Sequence, residues 1–454
     1  MGTNGSRGRT GTGATGRSSS TRGARSRSAR YPKLKPGPGR SPKEVAAHQR
    51  CRLQKAMVEL VAEHGYNAVA VTTLSNHARV SKRDFYKHFD SKEECFLATY
   101  DIIVSHSVRG ILAAAESEEE WCERLRLGFL AFADQIANSP EAARLALVEV
   151  FAAGAVAVER MLHTNRLFET LVEKNFALAD GGPRLPQLVV KGIVAGGSRL
   201  ARAQLLSGHP RQLALDGGEL LEWALSFCDD DVSRLHGLGV AGAPPLSATA
   251  AEVPLEDERA LILAATARLA SKEGYATLTV PRVRAAAGVS KRSFDSHFEG
   301  VADCFQATLD TLSSRTLAAA APFYLTADDW ASGIHRMIAG LCHHLACDPI
   351  FANLAFLEVF SPGPEAIRWR SGMIAKLATM LRREAPPARQ PSEFAAEASV
   401  GAMWGVIHHF VATGRGAQLP IAAPALSYLA LAPALGGAAA LDVIVAEVVP
   451  ALNR

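Results

Sequence analysis

Aromatic residues are scarce in this chain, at 7%. Alanine is abundant, and that balance argues for helices over β-sandwiches. The seven cysteines show no close pairing in spacing, which excludes a disulfide framework and a zinc site. No uninterrupted apolar run reaches the roughly 18 residues of a membrane helix. The most apolar tract, 438–452, is broken by Asp442 and Glu447. The start of the chain lacks the charged-apolar-small order of a signal peptide. A cytoplasmic protein with no membrane partner is expected. Missing too are G-x-S-x-G, a Walker loop, a dinucleotide fingerprint and a metalloprotease motif, so neither an enzyme nor a cofactor is expected. Cys342, His343, His344 and Cys347, with His408 and His409 elsewhere, invite a metal reading. Adjacent histidines on a helix face different ways, however, and no ligand spacing is present, so no metal site is expected.

Acidic residues are absent from the first 43 positions, which hold eleven Lys and Arg. With a net charge of +4, the remainder carries 4 − 11 = −7. Residues 1–42 are Gly, Ser, Thr, Arg and Pro with little to bury, and read as a disordered basic tail. Such a tail suits contact with a polyanion, or is a solvated extension.

What is present is helical periodicity. Leu53, Met57, Leu60 and Val61 recur at helical spacing before Gly65. A short helix over 72–78, a tight turn at Arg79 and Val80, and a second short helix capped by Ser81 form a helix-turn-helix unit. On that second helix Phe85 and Phe89 point inward, while Lys82, Arg83, Tyr86 and Lys87 share a basic, aromatic front. Longer amphipathic patterns run from 118 to 237, the last a single helix over about 218–235. Residues 237–251, rich in Gly, Ala and Pro, read as a linker.

Beyond the linker the sequence restarts. At an offset of 209, residues 65–101 align without a gap to 274–310, with 16 of 37 positions identical. The offset persists downstream: Trp121 with Trp330, Pro140 with Pro349, L-V-E-V-F at 147–151 with L-E-V-F at 357–360, and Gly192 and Gly196 with Gly401 and Gly405. The repeated unit is a whole domain. The expected all-α fold therefore has a helix-turn-helix part at 43–110 and a second, degenerate one at 252–319, each followed by a helical part, at 111–236 and 320–454.

The stretch V-S-K-R-D-F-Y-K-H-F-D-S-K at 80–92 resembles the DNA-binding signature of the TetR/AcrR family of bacterial regulators. The resemblance covers residues 46–101 and, more weakly, 255–310. It makes the helix-turn-helix parts readers of DNA and the helical parts that follow them regulatory. It implies a double-stranded DNA operator as partner and repression relieved by a small molecule. Two units in one chain imply a covalent pseudo-dimer. In a helix-turn-helix the second helix enters the major groove. Arg83 then suits guanine, and Lys82 a base or phosphate. The resemblance assigns Tyr86, His88 and Lys92 to phosphate contact or bracing, His88 being equally readable as a packed histidine. Thr72 and Thr73 begin the supporting helix, where a phosphate can be held. The second copy keeps Ser290, Lys291, Arg292, Ser293 and His297 and adds Arg282 and Arg284. It has Asp295 for Tyr86 and Ser296 for Lys87, so weaker binding and an asymmetric operator follow.

The glycine-bearing stretches 188–206 and 394–411 are the expected pairing surface between the halves, with pairing of two whole chains as the alternative. Trp121, Phe129, Phe132 and Phe151, and Trp330, Met337, Phe356 and Trp404, are candidates to line a cavity for an effector that is largely apolar. The rival reading is a small-molecule-binding protein whose first helix-turn-helix alone is active and which homodimerises on DNA.

Overall fold

Ser41 opens the first helix: its hydroxyl accepts the Glu44 N–H at 3.2 Å, while the Glu44 carboxylate accepts the Ser41 N–H at 2.7 Å. This reciprocal cap, with Pro42 in the first turn, fixes the start of α1, Pro42–His64. The computed structural model describes residues 41–116, 118, 120–177, 184–229, 231–238, 257–360 and 364–452. Nearly all of the basic tail and the linker lie outside them. Among the described residues there is no strand.

In the first reader, α2 (Val71–Ala78) and α3 (Lys82–Phe85) follow α1, and α4 (Lys92–Ala115) leads away from it. α3 is shorter than its apolar spacing suggests. The backbone nevertheless keeps turning, since Phe89 N–H still donates to the Phe85 carbonyl at 3.0 Å. Phe85 and Phe89 are both buried. α4 continues without a break past residue 110, the expected edge of the reader. The first regulatory part comprises α5 (Trp121–Asn138), α6 (Pro140–Leu147), α7 (Ala155–Ala177), α8 (Gln187–Ser207), α9 (Gln212–Leu215), α10 (Gly217–Leu225) and α11 (Leu235–Leu238). The single helix expected over 218–235 is thus divided. Asp229 accepts the Asp231 N–H at 3.1 Å, a local turn that competes with helix continuation.

The second half repeats the order: α12 (Glu258–Glu273), α13 (Val280–Ala287), α14 (Lys291–His297), α15 (Val301–Leu325), α16 (Trp330–Cys347), α17 (Pro349–Phe356), α18 (Pro364–Arg383), α19 (Glu393–Ala412), α20 (Leu419–Leu435) and α21 (Gly437–Leu452).

The two halves meet along α8 and α19. Glycines let the helix backbones approach. A side chain at Gly196 would strike Trp223 and the Ala398 carbonyl, and one at Gly405 would strike Ala195. Trp223 Nε1 donates to Ser399 Oγ at 3.0 Å across this contact, and Tyr428 Oη donates to the Phe227 carbonyl at 3.1 Å. The segment Gly416–Leu435 is long and apolar enough to cross a membrane by composition. It packs against α8, α16, α19 and α21. A helix apolar all round belongs in a core, and Leu426, Tyr428, Leu429 and Leu431 are all buried.

Candidate DNA interface and ligand cavity

The first reader presents Ser81, Lys82, Arg83, Tyr86 and Lys87 to solvent while Phe85 and Phe89 anchor the opposite side. Ser81 caps α3 by accepting the Asp84 N–H at 3.0 Å. Lys87 Nζ donates to Asp84 at 2.7 Å, and this bond, ahead of that from the Ser81 hydroxyl, holds the Asp84 carboxyl below its usual range. Adding Asp84 to Lys82, Arg83 and Lys87 leaves this front at +2. Tyr86 is 48% exposed, with its ring edge-on to Phe85. Thr72 and Thr73 are exposed in the first turn of α2, where backbone N–H groups have no helical acceptor.

Two neighbouring candidates face inward. Lys92 Nζ donates to the Tyr66 carbonyl at 3.0 Å and sits 3.9 Å above the centre of that ring, and burial lowers its pKa. His88 bonds through Nε2 to Gln49 at 3.0 Å, and its carbonyl accepts from Arg50 at 3.0 Å. Burial, then the nearby Arg50 charge, lowers its pKa. Both therefore brace the unit.

The second reader has the same scaffold and a different front. Ser290 caps α14 by accepting the Ser293 N–H at 3.0 Å, and Lys291, Arg292, Asp295, Ser296 and His297 are exposed. Lys291, Arg292 and Asp295 sum to +1. Ser293 is turned inward, donating to Glu258 at 2.5 Å. Arg282 is exposed but engaged, with Nη1 on the Thr277 carbonyl at 2.9 Å and Nη2 on Glu273. Arg284 is half-buried. The turns differ as well. Arg79 adopts the left-handed conformation at φ 56°, where the second copy has Gly288 at φ 71°.

A cavity of about 1050 Å³ opens within the first regulatory part, between α4, α5, α6, α7 and α8. Phe129 and Phe132 line it, with Ile103, Phe168, Val172 and Ile193. Thr164, Asn165 and Asn175 supply polar groups. Trp121 stands beside it, its ring tilted against Phe176 at 5.5 Å, and Phe151 lies under the Arg202 guanidinium at 4.9 Å. In the second half Trp330 and Met337 pack against the regulatory core, while the Phe356 and Trp404 rings meet at a tilt, their centres 4.7 Å apart. Sequence reasoning passed over Gly128 and Gly197, which leave the first cavity open. Their counterparts 209 residues on are Met337 and Val406, which add side-chain volume at those places. Small residues exchanged for large ones at matching positions were the available signal.

Glu149 was also overlooked as a functional residue, although it lies in the repeated L-V-E-V-F stretch. It is 4% exposed, accepts the Tyr66 N–H at 3.0 Å and meets Arg144 at 3.3 Å. Ala143, Ala146 and Leu147, just before it, line the cavity. Lys92, on the carbonyl of the same Tyr66, begins α4, whose Tyr100, Ile103 and Val104 form another wall. Cavity and reader thus share two elements.

Residues 54–99 and 262–308 each match the family model of bacterial regulatory proteins, tetR family. The HTH-type transcriptional activator FasR of Mycolicibacterium smegmatis is 28% identical over 182 residues, 38% of this chain and 81% of that protein. Among solved structures, the fatty acid degradation regulator FadR from Bacillus halodurans aligns with a TM-score of 0.36 and 16% identity, over 42% of this chain and 97% of its own. FadR from Bacillus subtilis, solved in complex with stearoyl-CoA, aligns with a TM-score of 0.36 and 15% identity, over 39% of this chain and 97% of its own.

Proposed function

We propose that this chain, in which two TetR-family DNA-binding units stand in tandem, is a ligand-responsive transcriptional regulator that reads an asymmetric operator as an intramolecular pair. The observation that carries the asymmetry is the contrast between two fronts on one scaffold: Lys82, Arg83, Tyr86 and Lys87 in the first, Lys291, Arg292, Asp295 and Ser296 in the second. Phosphate contacts set affinity and base contacts set the sequence read. Arg83 and Lys82, at the exposed start of α3, take the base-edge role, and Tyr86 and Lys87 hold phosphates. Thr72 and Thr73 fix register through the first turn of α2. The second reader contributes Lys291, Arg292 and His297 with fewer phosphate contacts. In this reading the domains divide at 43–110, 111–236, 252–319 and 320–454, and the tail adds sequence-neutral attraction.

The effector enters the cavity of the first regulatory part. A volume of about 1050 Å³ with Phe129, Phe132 and Phe168 on its walls suits a largely apolar molecule with a polar group that meets Asn165 or Asn175. Occupying it moves α4 and α6. Both carry that movement to Tyr66, one through Lys92 and the other through Glu149, and Tyr66 lies between α1 and α2 of the reader. The contact of α8 with α19 supports pairing of the two halves within one chain.

Protection mapping on the DNA flanking the chain's own coding region, followed by anisotropy titrations with each half-site scrambled, tests this reading. One protected site, one chain per site and unequal losses for the two scrambles are expected. Equal losses, or two chains per site, would favour a homodimer in which only the first reader binds.

A further inference from the structure

The cavity of the first regulatory part is positive at one end. It follows α5 from Arg124 to Asn138 and α7 from Met161 to Asn175, about 21 Å along each helix. Asn175 Nδ2 donates to the Trp121 carbonyl at 2.8 Å, so the end of α7 meets the start of α5. That junction puts Lys174 at the same end as Arg124, and both line the cavity. Among the described lining residues the acid is Asp134, which is exposed and about 15 Å further along α5. It lies toward the place where Gln135 Nε2 donates to the Ser107 carbonyl of α4 at 3.3 Å. Exposed charges more than about 10 Å apart are largely screened at ordinary salt, so Asp134 does not neutralise the pair.

Acids closer to Arg124 are engaged elsewhere. Glu120 caps α5 by accepting the Cys122 and Glu123 N–H groups, and Glu123 pairs with Arg126. Glu118 offers its backbone carbonyl, which accepts from Arg124 Nη1 at 2.9 Å. The rest of that guanidinium is unused: Nε is enclosed without a hydrogen-bond partner, and Nη2 has none among the described residues. Lys174 is exposed. Guanidinium and ammonium groups only donate. An apolar cavity with such donors gathered at one end is complementary to a molecule that is apolar over most of its length and ends in an anionic acceptor. A planar guanidinium matches the geometry of a carboxylate. Resting on the reading of this cavity as the effector site, we propose that the effector is an amphiphilic carboxylate. Its oxygens take Arg124 Nη2 and Lys174 Nζ, and its apolar body lies against Phe129, Phe132 and Phe168.

The test is displacement of Nile red, an uncharged apolar dye, from the full chain. The competitors are decanoate, below its micellar concentration, and 1-decanol, which has the same chain without the charge. Decanoate is expected to displace the dye at a concentration at least about tenfold lower than decanol, because hydrogen bonds between charged groups are the stronger ones. Arg124→Gln, which keeps a donor for the Glu118 carbonyl, should weaken decanoate about tenfold and leave decanol within about twofold. Lys174→Gln, at an exposed position, should weaken decanoate about two- to threefold; it carries the comparison if the first variant fails to fold. Gly128→Met with Gly197→Val should remove displacement by both molecules. Decanol acting as tightly as decanoate, or Arg124→Gln weakening the two alike, overturns the proposal and leaves the cavity as an effector site. Displacement by neither molecule, or displacement that persists in the double glycine variant, overturns the cavity reading and the proposal with it.

Discussion

Glu149 Oε2 accepts the backbone N–H of Tyr66 at 3.0 Å, across 83 residues of sequence, and Glu358 accepts that of Tyr275 at 2.7 Å across the same separation. A carboxylate from each regulatory part thus holds the loop after the first helix of its reader. Gly65 and Gly274, at φ 78° and 85°, place those N–H groups where the carboxylates reach them.

Replacing Glu149 by Ala leaves a buried N–H and Arg144 without their carboxylate. We expect a loss of about 1–3 kcal/mol in urea unfolding. The more informative readout is anisotropy with and without effector: affinity for DNA should become insensitive to ligand while ligand binding itself persists. Glu149→Gln, which keeps an acceptor, should recover most of the stability. A variant that still releases DNA normally on adding effector would remove this link from the mechanism.

Tyr86 and Asp295 stand at matching places on the two reading fronts. Asp295→Tyr removes a negative charge facing phosphate and should tighten operator binding about three- to tenfold. Tyr86→Asp should nearly abolish it and flatten its salt dependence, since fewer phosphates are neutralised. Titrations at several salt concentrations check both. No change on Asp295→Tyr would mean that the second front does not touch DNA.

Arg79 holds a left-handed conformation that the second reader gives to Gly288. That geometry costs a residue with a Cβ about 1–2 kcal/mol, partly offset in glycine by its freer unfolded chain. Arg79→Gly should therefore stabilise the first reader by about 0.5–1 kcal/mol, and Gly288→Ala should weaken the second by a similar amount. Chemical denaturation of the full chain reads both.

Gly128→Met and Gly197→Val carry the second half's own residues into the first cavity. A Cβ at Gly197 meets nothing within 4 Å, and at Gly128 it meets only Ile111 at 3.6 Å, so neither should disturb the fold. Together they should abolish effector release while leaving DNA affinity within about twofold of wild type. Gly197→Ala alone should raise stability by about 0.5–1 kcal/mol through helix propensity. Effector release persisting in the double variant would place the effector elsewhere.

Two buried histidines set an acid limit. Burial, followed by its arginine neighbours, lowers His408 to about 3, and burial with Arg336 lowers His335 to about 4 despite the opposing Glu447. The unfolded chain therefore takes up protons near pH 6.5 that the folded chain refuses. Stability contributed by these groups is complete above that pH and falls as the solution is acidified toward pH 4. The slope of unfolding free energy against pH between 6 and 4.5 should diminish in His335→Gln.

The repeat, the helical fold and the exposed front at Lys82, Arg83, Tyr86 and Lys87 were legible because each rests on local periodicity and on residues spaced within one or two turns. Which of the two expected roles, phosphate contact or bracing, Lys92 and His88 take was not, because their partners, Tyr66 and Gln49, lie 26 and 39 residues away. Phe129 and Phe132 line the cavity while Trp121 and Phe151 stand outside it, and the four look alike along the chain. Which aromatic borders open space depends on what its neighbours lack, here the side chains of Gly128 and Gly197. The glycine helices α8 and α19 were readable as a close contact, because the glycines recur at the repeat's own offset.

Met161 lines the first cavity, and its counterpart 209 residues on is Arg370. Identical subunits must make any such exchange twice, but one chain makes it once. If Met337, Val406 and Arg370 fill the matching places, one effector is expected per pair of readers. Release from DNA should then follow a simple hyperbola in effector concentration, without the sigmoid steepness that two linked and equivalent sites produce.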